Sequence, residues 1–279
     1  MSTYENYNKT SYFFDQTRSA IGVEIIKNTL EKGHLSLGKQ VLVDAGCGTG
    51  LYSEALIDDV KFIEAVDLNS EMLEIAKTRI KTKEKNLIIR FHQNSIHSLP
   101  LANESADAVM VNQVLHHLSD DASSIWKEHK KIFREFYRVL KPKGSLIINS
   151  CSPEQLRHGF WFYSLIPDAL NAILRKTIDI DTLSLNLINT GFSNPKHIVP
   201  KHLILQGDAY FNSAGILDSV WRSGDSIWSL VTKETLKEVL QKVDSLRKKG
   251  ELDNYMLNHD RKRLSCGQIT FTITTKDCH

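Results

Sequence analysis

The sequence is poor in several features that would assign it to large classes of protein. Its 279 residues hold four cysteines, Cys47, Cys151, Cys266 and Cys278, with no CxxC pair and no Cys/His grouping at the spacing that zinc requires. No metal is therefore expected, and reduced thiols suit a cytoplasmic protein. Long apolar runs are missing, and the polar start MSTYENYNKT lacks the apolar core of a secretory signal, so neither membrane attachment nor export is expected. Charge of one sign is not in excess either: the formal net charge of +2 gives no electrostatic reason to expect a nucleic-acid or anionic-membrane partner. Repeats, low-complexity tracts and Pro/Gly/Ser linkers are absent, and one enlarged domain over residues 1–279 is the expectation.

What the chain does have is an alternation of two periods. Between residues 40 and 150 the β-branched runs QVLVDA, FIEAVD, LIIRFH, DAVMVN and SLIINS alternate with segments of helical period such as SEMLEIAKTRI and SSIWKEHKKIFREFYRVL. Such alternation builds βαβ units on a parallel sheet. Ser70 is placed to cap a helix beginning at Glu71, and Lys141-Pro142-Lys143-Gly144 to stop the long helix before the next strand. Further on, a helix is expected over Asp179–Asn189, a strand over His197–Leu205, a helix over Lys233–Arg247 and a last strand over Gln268–Thr274. The stretch of about 206–266 is too long for a plain connection and reads as an insertion covering the active face.

The strongest local signal is Val41-Leu42-Val43-Asp44-Ala45-Gly46-Cys47-Gly48-Thr49-Gly50, an apolar strand running into a glycine-rich turn and a helix. Glycines at 46, 48 and 50 let the backbone take positive φ and approach a small ligand closely. A dinucleotide site would need GxGxxG, but position 51 is Leu and Asp44 precedes the turn, where its charge would oppose a pyrophosphate. A cationic ligand suits it better. Asp44 can meet the ammonium group of S-adenosylmethionine (SAM), and Asp67, at the end of the next strand, can accept hydrogen bonds from ribose hydroxyls. Leu68 and Met72 are placed to flank an adenine, although Met72 would serve equally as core.

DAGCGTG, the strand end VDLN, SLPL followed by ADAVMVNQVLHHL, and RVLKPKGSLII resemble the class I SAM-dependent methyltransferases of the ubiquinone-biosynthesis-like, small-molecule group, over about residues 38–150. The resemblance implies a Rossmann-like, doubly wound α/β sheet of seven strands with the last one antiparallel. It implies SAM as cofactor and S-adenosylhomocysteine (SAH) as product, with an N-terminal lid in 1–38, a SAM-binding core in 39–150 and a C-terminal half in 151–279 that carries the substrate-covering insertion of about 206–266. Asp44, Gly46, Gly48 and Gly50 would hold the methionine part and Asp67 the ribose. Where the family usually places an Asp near the adenine, this chain has Asn94-Ser95-Ile96. Asn112 and Gln113 fall where the family lines the cofactor pocket.

The acceptor is a small molecule of unnamed chemistry, since this family methylates oxygen, nitrogen, carbon and arsenic. His116 and His117 follow the fourth strand, where a base would sit, though the pair also suits a purely structural role. Tyr12 and Arg18 belong to a segment that resembles the lid of small-molecule methyltransferases; a helix packed on the sheet would carry them as well. The cluster from His158 through Trp161 to Tyr163, and the later Trp221 to Asp225, are candidates for an aromatic or apolar acceptor pocket and its closing loop. Buried packing and a Gly-Asp turn explain the same residues. Lys233 to Arg263 is rich in Lys and Arg, which raises an RNA or protein substrate, but interleaved acids favour a solvated helix. A third reading is a SAM-binding regulatory protein without catalysis. The oligomeric state is not legible.

Overall fold

The computed structural model of the chain describes residues 18–81 and 88–277. Seven strands form one sheet: β1 (Val41–Ala45), β2 (Phe62–Asp67), β3 (Ile89–Gln93), β4 (Ala106–Asn112), β5 (Leu140–Ser150), β6 (Lys196–Ile198) and β7 (Thr270–Thr275). Their order is β3-β2-β1-β4-β5-β7-β6; β1 to β5 run parallel, and β7 is antiparallel to both of its neighbours. This is the Rossmann-like sheet expected from the sequence. Its helices are α1 (Val23–Glu31), α2 (Leu51–Leu56), α3 (Ser70–Lys81), α4 (Lys127–Val139), α5 (Pro153–His158), α6 (Pro167–Arg175), α7 (Ile180–Ile188), α8 (Ser219–Ser223), α9 (Lys233–Lys248), α10 (Leu252–Asp260) and α11 (Arg263–Cys266).

The two-residue period of each strand sends alternate side chains into two separate cores. Leu42, Ala108, Met110 and Ile147 join Ile26 and Leu30 of α1 and Leu73 and Ile80 of α3 on one face. Val43, Val109, Val111, Leu146 and Ile148 meet Ile132, Phe133 and Phe136 of α4 and Leu183 and Leu187 of α7 on the other. β1 lies between β2 and β4, so the chain leaves it in opposite directions on either side. A crevice opens there at the carboxyl ends of the strands, the usual ligand position on such sheets.

Local chemistry moved several boundaries. Asn69, not Ser70, caps α3: its Oδ1 accepts the Met72 N–H at 2.9 Å, while the Ser70 hydroxyl turns to Glu71. α4 starts at Lys127, later than the apolar period suggests, because the Asp120 carboxylate accepts the N–H groups of Lys127, Glu128 and His129 at 3.1, 2.8 and 3.0 Å. Lys141–Gly144 does not form a turn ahead of β5 but a bend within its first residues, with Lys143 at φ 66°. The strand expected over His197–Leu205 stops at Ile198; Pro200 has no N–H to donate, and the Leu205 N–H goes to the Gln268 side chain. The segment 206–266 is built from α8 to α11 and short 3₁₀ turns. Among the described residues, no helix is long and apolar enough to cross a membrane.

Candidate functional site

The turn after β1 is shaped by its glycines and held by one carboxylate. Gly46, Gly48 and Gly50 have φ of 80°, 54° and 81°. Side chains at 46 and 50 would strike Val114 and Ala76, whereas a Cβ on Gly48 would meet nothing within 4 Å, so bare backbone faces open space. Asp67 reaches across from β2: one oxygen accepts the Gly48 N–H at 2.8 Å and the other the Asn69 N–H at 2.8 Å. Burial raises its pKa, and these bonds oppose the rise. Beneath the turn, Asp44 is 1% exposed and accepts the Ser53 hydroxyl at 2.7 Å. Burial, reinforced by the charge of Asp67, pushes its carboxyl up to about 7.

These groups open onto a cavity of about 670 Å³. Asp44, Gly46, Gly48, Asp67, Leu68, Met72, Asn94, Ser95, Ile96 and Gln113 all line it. Gly50 does not; it packs against Ala76 and supplies the left-handed residue that starts α2. Asn94 turns its side-chain oxygen to the Ser95 N–H at 2.7 Å, and the Ser95 hydroxyl lies 3.0 Å from His97. Gln113, at φ 55°, donates its amide to Asn149 Oδ1 at 3.0 Å. Asn112 beside it has its amide nitrogen and oxygen buried on the lining without a hydrogen-bond partner among the described residues. Buried polar atoms are normally paired, and a ligand is the economical partner here. The bare Gly48 backbone, the buried Asp44 carboxylate and the Asn112 amide fit a ligand with an ammonium head and polar edges, as SAM has.

The cavity continues past the end of β4. His116 and His117 line it with ring centroids 4.1 Å apart. Burial, then the field of Arg18, lowers His116 to about 4, and burial takes His117 well below the ordinary histidine range, so both are neutral at physiological pH. Arg18 donates Nε–H to the Gly224 carbonyl at 2.7 Å, and its guanidinium lies 3.7 Å from Asp225. Asp225 also accepts the Tyr163 hydroxyl at 3.1 Å and the Ile227 N–H at 3.2 Å. Tyr163 stacks on Phe160 at 4.6 Å, and burial, then Asp225, push its phenol well above the ordinary range. Burial likewise raises the Cys151 thiol to about 12.

Three of the acceptor-side candidates do not reach the cavity either. Trp161 is fully buried and donates its indole N–H to the Tyr210 carbonyl at 3.0 Å; Trp221 donates to the Ala209 carbonyl at 2.7 Å and packs on Gly215. Both flank Phe162, at 5.7 and 5.0 Å, in an aromatic core under the insertion. His158 ends α5 away from the lining. Tyr12 lies outside the described residues. Phe160, from the 158–163 cluster, does line the acceptor side, and sequence reasoning missed Lys176, Ile178 and Leu205 beside it. Lys176 follows α6, where a cation is expected for the helix dipole alone, so nothing distinguished it.

Among the described residues no group of three His, Cys, Asp or Glu side chains is placed to hold a metal ion. Residues 43–148 match the family model of a methyltransferase domain. An uncharacterized methyltransferase of Mycobacterium tuberculosis is 30% identical over 125 residues, 45% of this chain and 57% of that protein. Malonyl-[acyl-carrier protein] O-methyltransferase of a Methylovorus species is 28% identical over 178 residues, 62% of this chain and 57% of its own length. The chain thus spans just over half the length of these curated relatives. A crystal structure of a protein assigned to methyl transfer in an antibiotic biosynthesis pathway of Anabaena variabilis has a TM-score of 0.72 at 21% identity, covering 94% of this chain and 99% of that one, which is a likeness of fold. The sheet order, with β7 antiparallel, is that of the Rossmann-like methyltransferase fold, and residues 43–148 of the chain are similar to a methyltransferase domain.

Proposed function

We propose that the chain takes SAM into the end of the cavity between Asp44, Gly48 and Asp67 and methylates a small apolar or aromatic molecule at the other end, between Phe160, Tyr163 and the two histidines. The observation that carries this reading is one continuous cavity joining the carboxylates at the strand ends to an aromatic wall. In it Asp44 balances the ammonium group, Asp67 accepts from the ribose, and Asn112 finds the partner it otherwise lacks. Bound there, SAM supplies an electrophilic methyl group on sulfur. His116 and His117, being neutral, are able to take a proton from an acceptor hydroxyl or amine. The Arg18 bond to Gly224 ties the N-terminal side to the insertion above the reacting end and keeps water out.

An RNA or protein acceptor has no comparable support. Arg247 and Lys248 each pair with Asp244 at 2.7 Å, and Arg263 is paired with Asp260 at 2.8 Å. The regulatory reading calls for a site closed beyond the cofactor, and the continuation to Phe160 and Tyr163 speaks against it. The test is calorimetric titration of SAM, SAH and NAD into the purified chain. SAM and SAH are expected to bind and NAD not to; absence of SAM binding overturns the proposal.

A further inference from the structure

Asp44 belongs to β1, Asp67 to β2, and Asn94 follows β3, so the polar lining of the cavity runs outward from the ammonium position through the ribose position to the loop after β3. The Asn94 N–H donates to the Asp67 carbonyl at 3.0 Å and fixes that loop beside the ribose carboxylate. The base of a nucleoside held by Asp67 would therefore meet residues 94–97, none of which is a carboxylate. Asn94 is spent on the loop itself, its side-chain oxygen accepting the Ser95 N–H at 2.7 Å. Ser95 and His97 both line the cavity, and Glu128 of α4 stands behind them. His97 Nδ1 lies 3.0 Å from the Ser95 hydroxyl. Its Nε2 is buried and lies 3.1 Å from Glu128 Oε2, a charge contact without an aligned hydrogen bond. Glu128 is ionised: a 2.7 Å bond from Lys131 holds its carboxyl below the ordinary range.

Proton counting gives the serine its role. A bare lone pair on Nε2 would face a carboxylate oxygen, acceptor against acceptor, so the imidazole carries its proton there. Its Nδ1 is then an acceptor, and the Ser95 hydroxyl donates to it. The hydroxyl oxygen accepts the His97 N–H at 3.2 Å with one lone pair and keeps the other for the cavity. Ser95 thus offers a ligand an acceptor, and it can offer a donor only by breaking its bond to His97. The exocyclic amino group of adenine donates; the carbonyl that replaces it in hypoxanthine only accepts. We infer that Ser95 reads the amino group of the cofactor's adenine, with His97 and Glu128 as positioning residues that lock its hydroxyl as an acceptor. This rests on reading the cavity as a SAM site.

The test titrates the full chain calorimetrically, in buffer of about pH 8, with SAH and with S-inosylhomocysteine, its analogue carrying a carbonyl in place of the amino group. SAH is expected to bind at least about tenfold more tightly. Ser95→Ala, and His97→Phe, which frees the hydroxyl to turn and donate, should each narrow the ratio to within about threefold. In nitrogen NMR spectra of the histidine-labelled SAH complex, the signal that His97→Phe removes should be that of an Nε2–H tautomer, and Glu128→Ala should admit the Nδ1–H form. Equal binding of the two ligands, a preference that survives Ser95→Ala or His97→Phe, an Nδ1–H tautomer in the unaltered chain, or a tautomer that Glu128→Ala leaves unchanged overturns the inference and leaves the cofactor reading standing. Failure of the unaltered chain to bind SAH overturns that reading and the inference with it.

Discussion

The two ends of the cavity are built by opposite means. At the strand end, polar groups are fixed by backbone within about 20 residues in the chain: Asp67 holds the N–H groups of Gly48 and Asn69, and Gly46 and Cys47 donate to the Val66 carbonyl at 2.8 and 3.0 Å. At the acceptor end, side chains are fixed by partners far off in the chain, Arg18 by Gly224 and Asp225, Tyr163 by Asp225. A site pinned by its own backbone is rigid and tolerates little change. A site assembled from an N-terminal residue, the segment after β5 and an insertion can change its occupant while the sheet stays as it is. The aromatic core around Phe162 lies under the second end and should serve stability rather than binding.

The largest expected effect breaks that last distinction if it fails. Trp221→Ala removes a 4%-exposed indole from the core and should lower stability by about 3–5 kcal/mol in denaturant titration, while the folded protein keeps its SAH affinity. Weakened SAH binding by folded protein would join the two ends energetically. Asp67→Ala comes next. It should cost about 2–3 kcal/mol of SAH binding, roughly 30- to 100-fold in calorimetry. Because Gly48 and Asn69 lose their acceptor, a further loss of about 1–2 kcal/mol of stability is expected. A variant that binds SAH normally would remove Asp67 from the ribose.

This contrast also explains what the sequence disclosed. β1, the glycine turn and Asp67 lie within 27 consecutive residues, from Val41 to Asp67, so spacing alone placed them. The period-two runs placed β2 to β5 for the same reason, each strand end exposing its ligand-facing residues directly. Gly50 was the exception, because a glycine required by packing on Ala76 looks the same in sequence as one required by a ligand. At the acceptor end the indoles of Trp161 and Trp221 and the ring of Tyr163 carry equal weight in sequence. Only the partners of their N–H and O–H groups separate them: the two indoles bond backbone carbonyls, and Tyr163 meets Asp225 at the cavity wall. Lys176 and Arg18 line one cavity solely through the fold, since 157 residues lie between them in the chain.

A smaller effect sharpens the same contrast. Asp44 titrates at about 7 when folded and near 3.8 when unfolded, so it binds more protons in the folded state between those values. Without ligand, its contribution to stability is complete below about 4 and is lost as pH rises through about 7. The ammonium group of the ligand needs the ionised form. SAH affinity should therefore rise by up to about tenfold per unit as pH climbs toward 7 and level off above it, with proton release visible in buffers of differing ionisation enthalpy. His116, held near 4, has lost most of its proton in the upper part of that window, and burial pushes His117 in the same direction. Asp44→Asn should flatten the profile and abolish the proton release.

The smallest effect tests whether the ends are independent. Tyr163→Phe keeps the stacking on Phe160 but withdraws the hydroxyl from Asp225, which retains the Ile227 N–H and the neighbouring Arg18. One hydrogen bond to a buried carboxylate is lost without a cavity, so about 1–2 kcal/mol of stability should go in a thermal or denaturant melt. SAH affinity should stay within about twofold, because every contact of Tyr163 described here belongs to the acceptor side. A larger fall in SAH affinity would mean that the Arg18–Asp225 pair holds the cofactor end closed as well. The acceptor wall and the glycine turn would then form one unit, and changes of acceptor would carry a cost in cofactor binding.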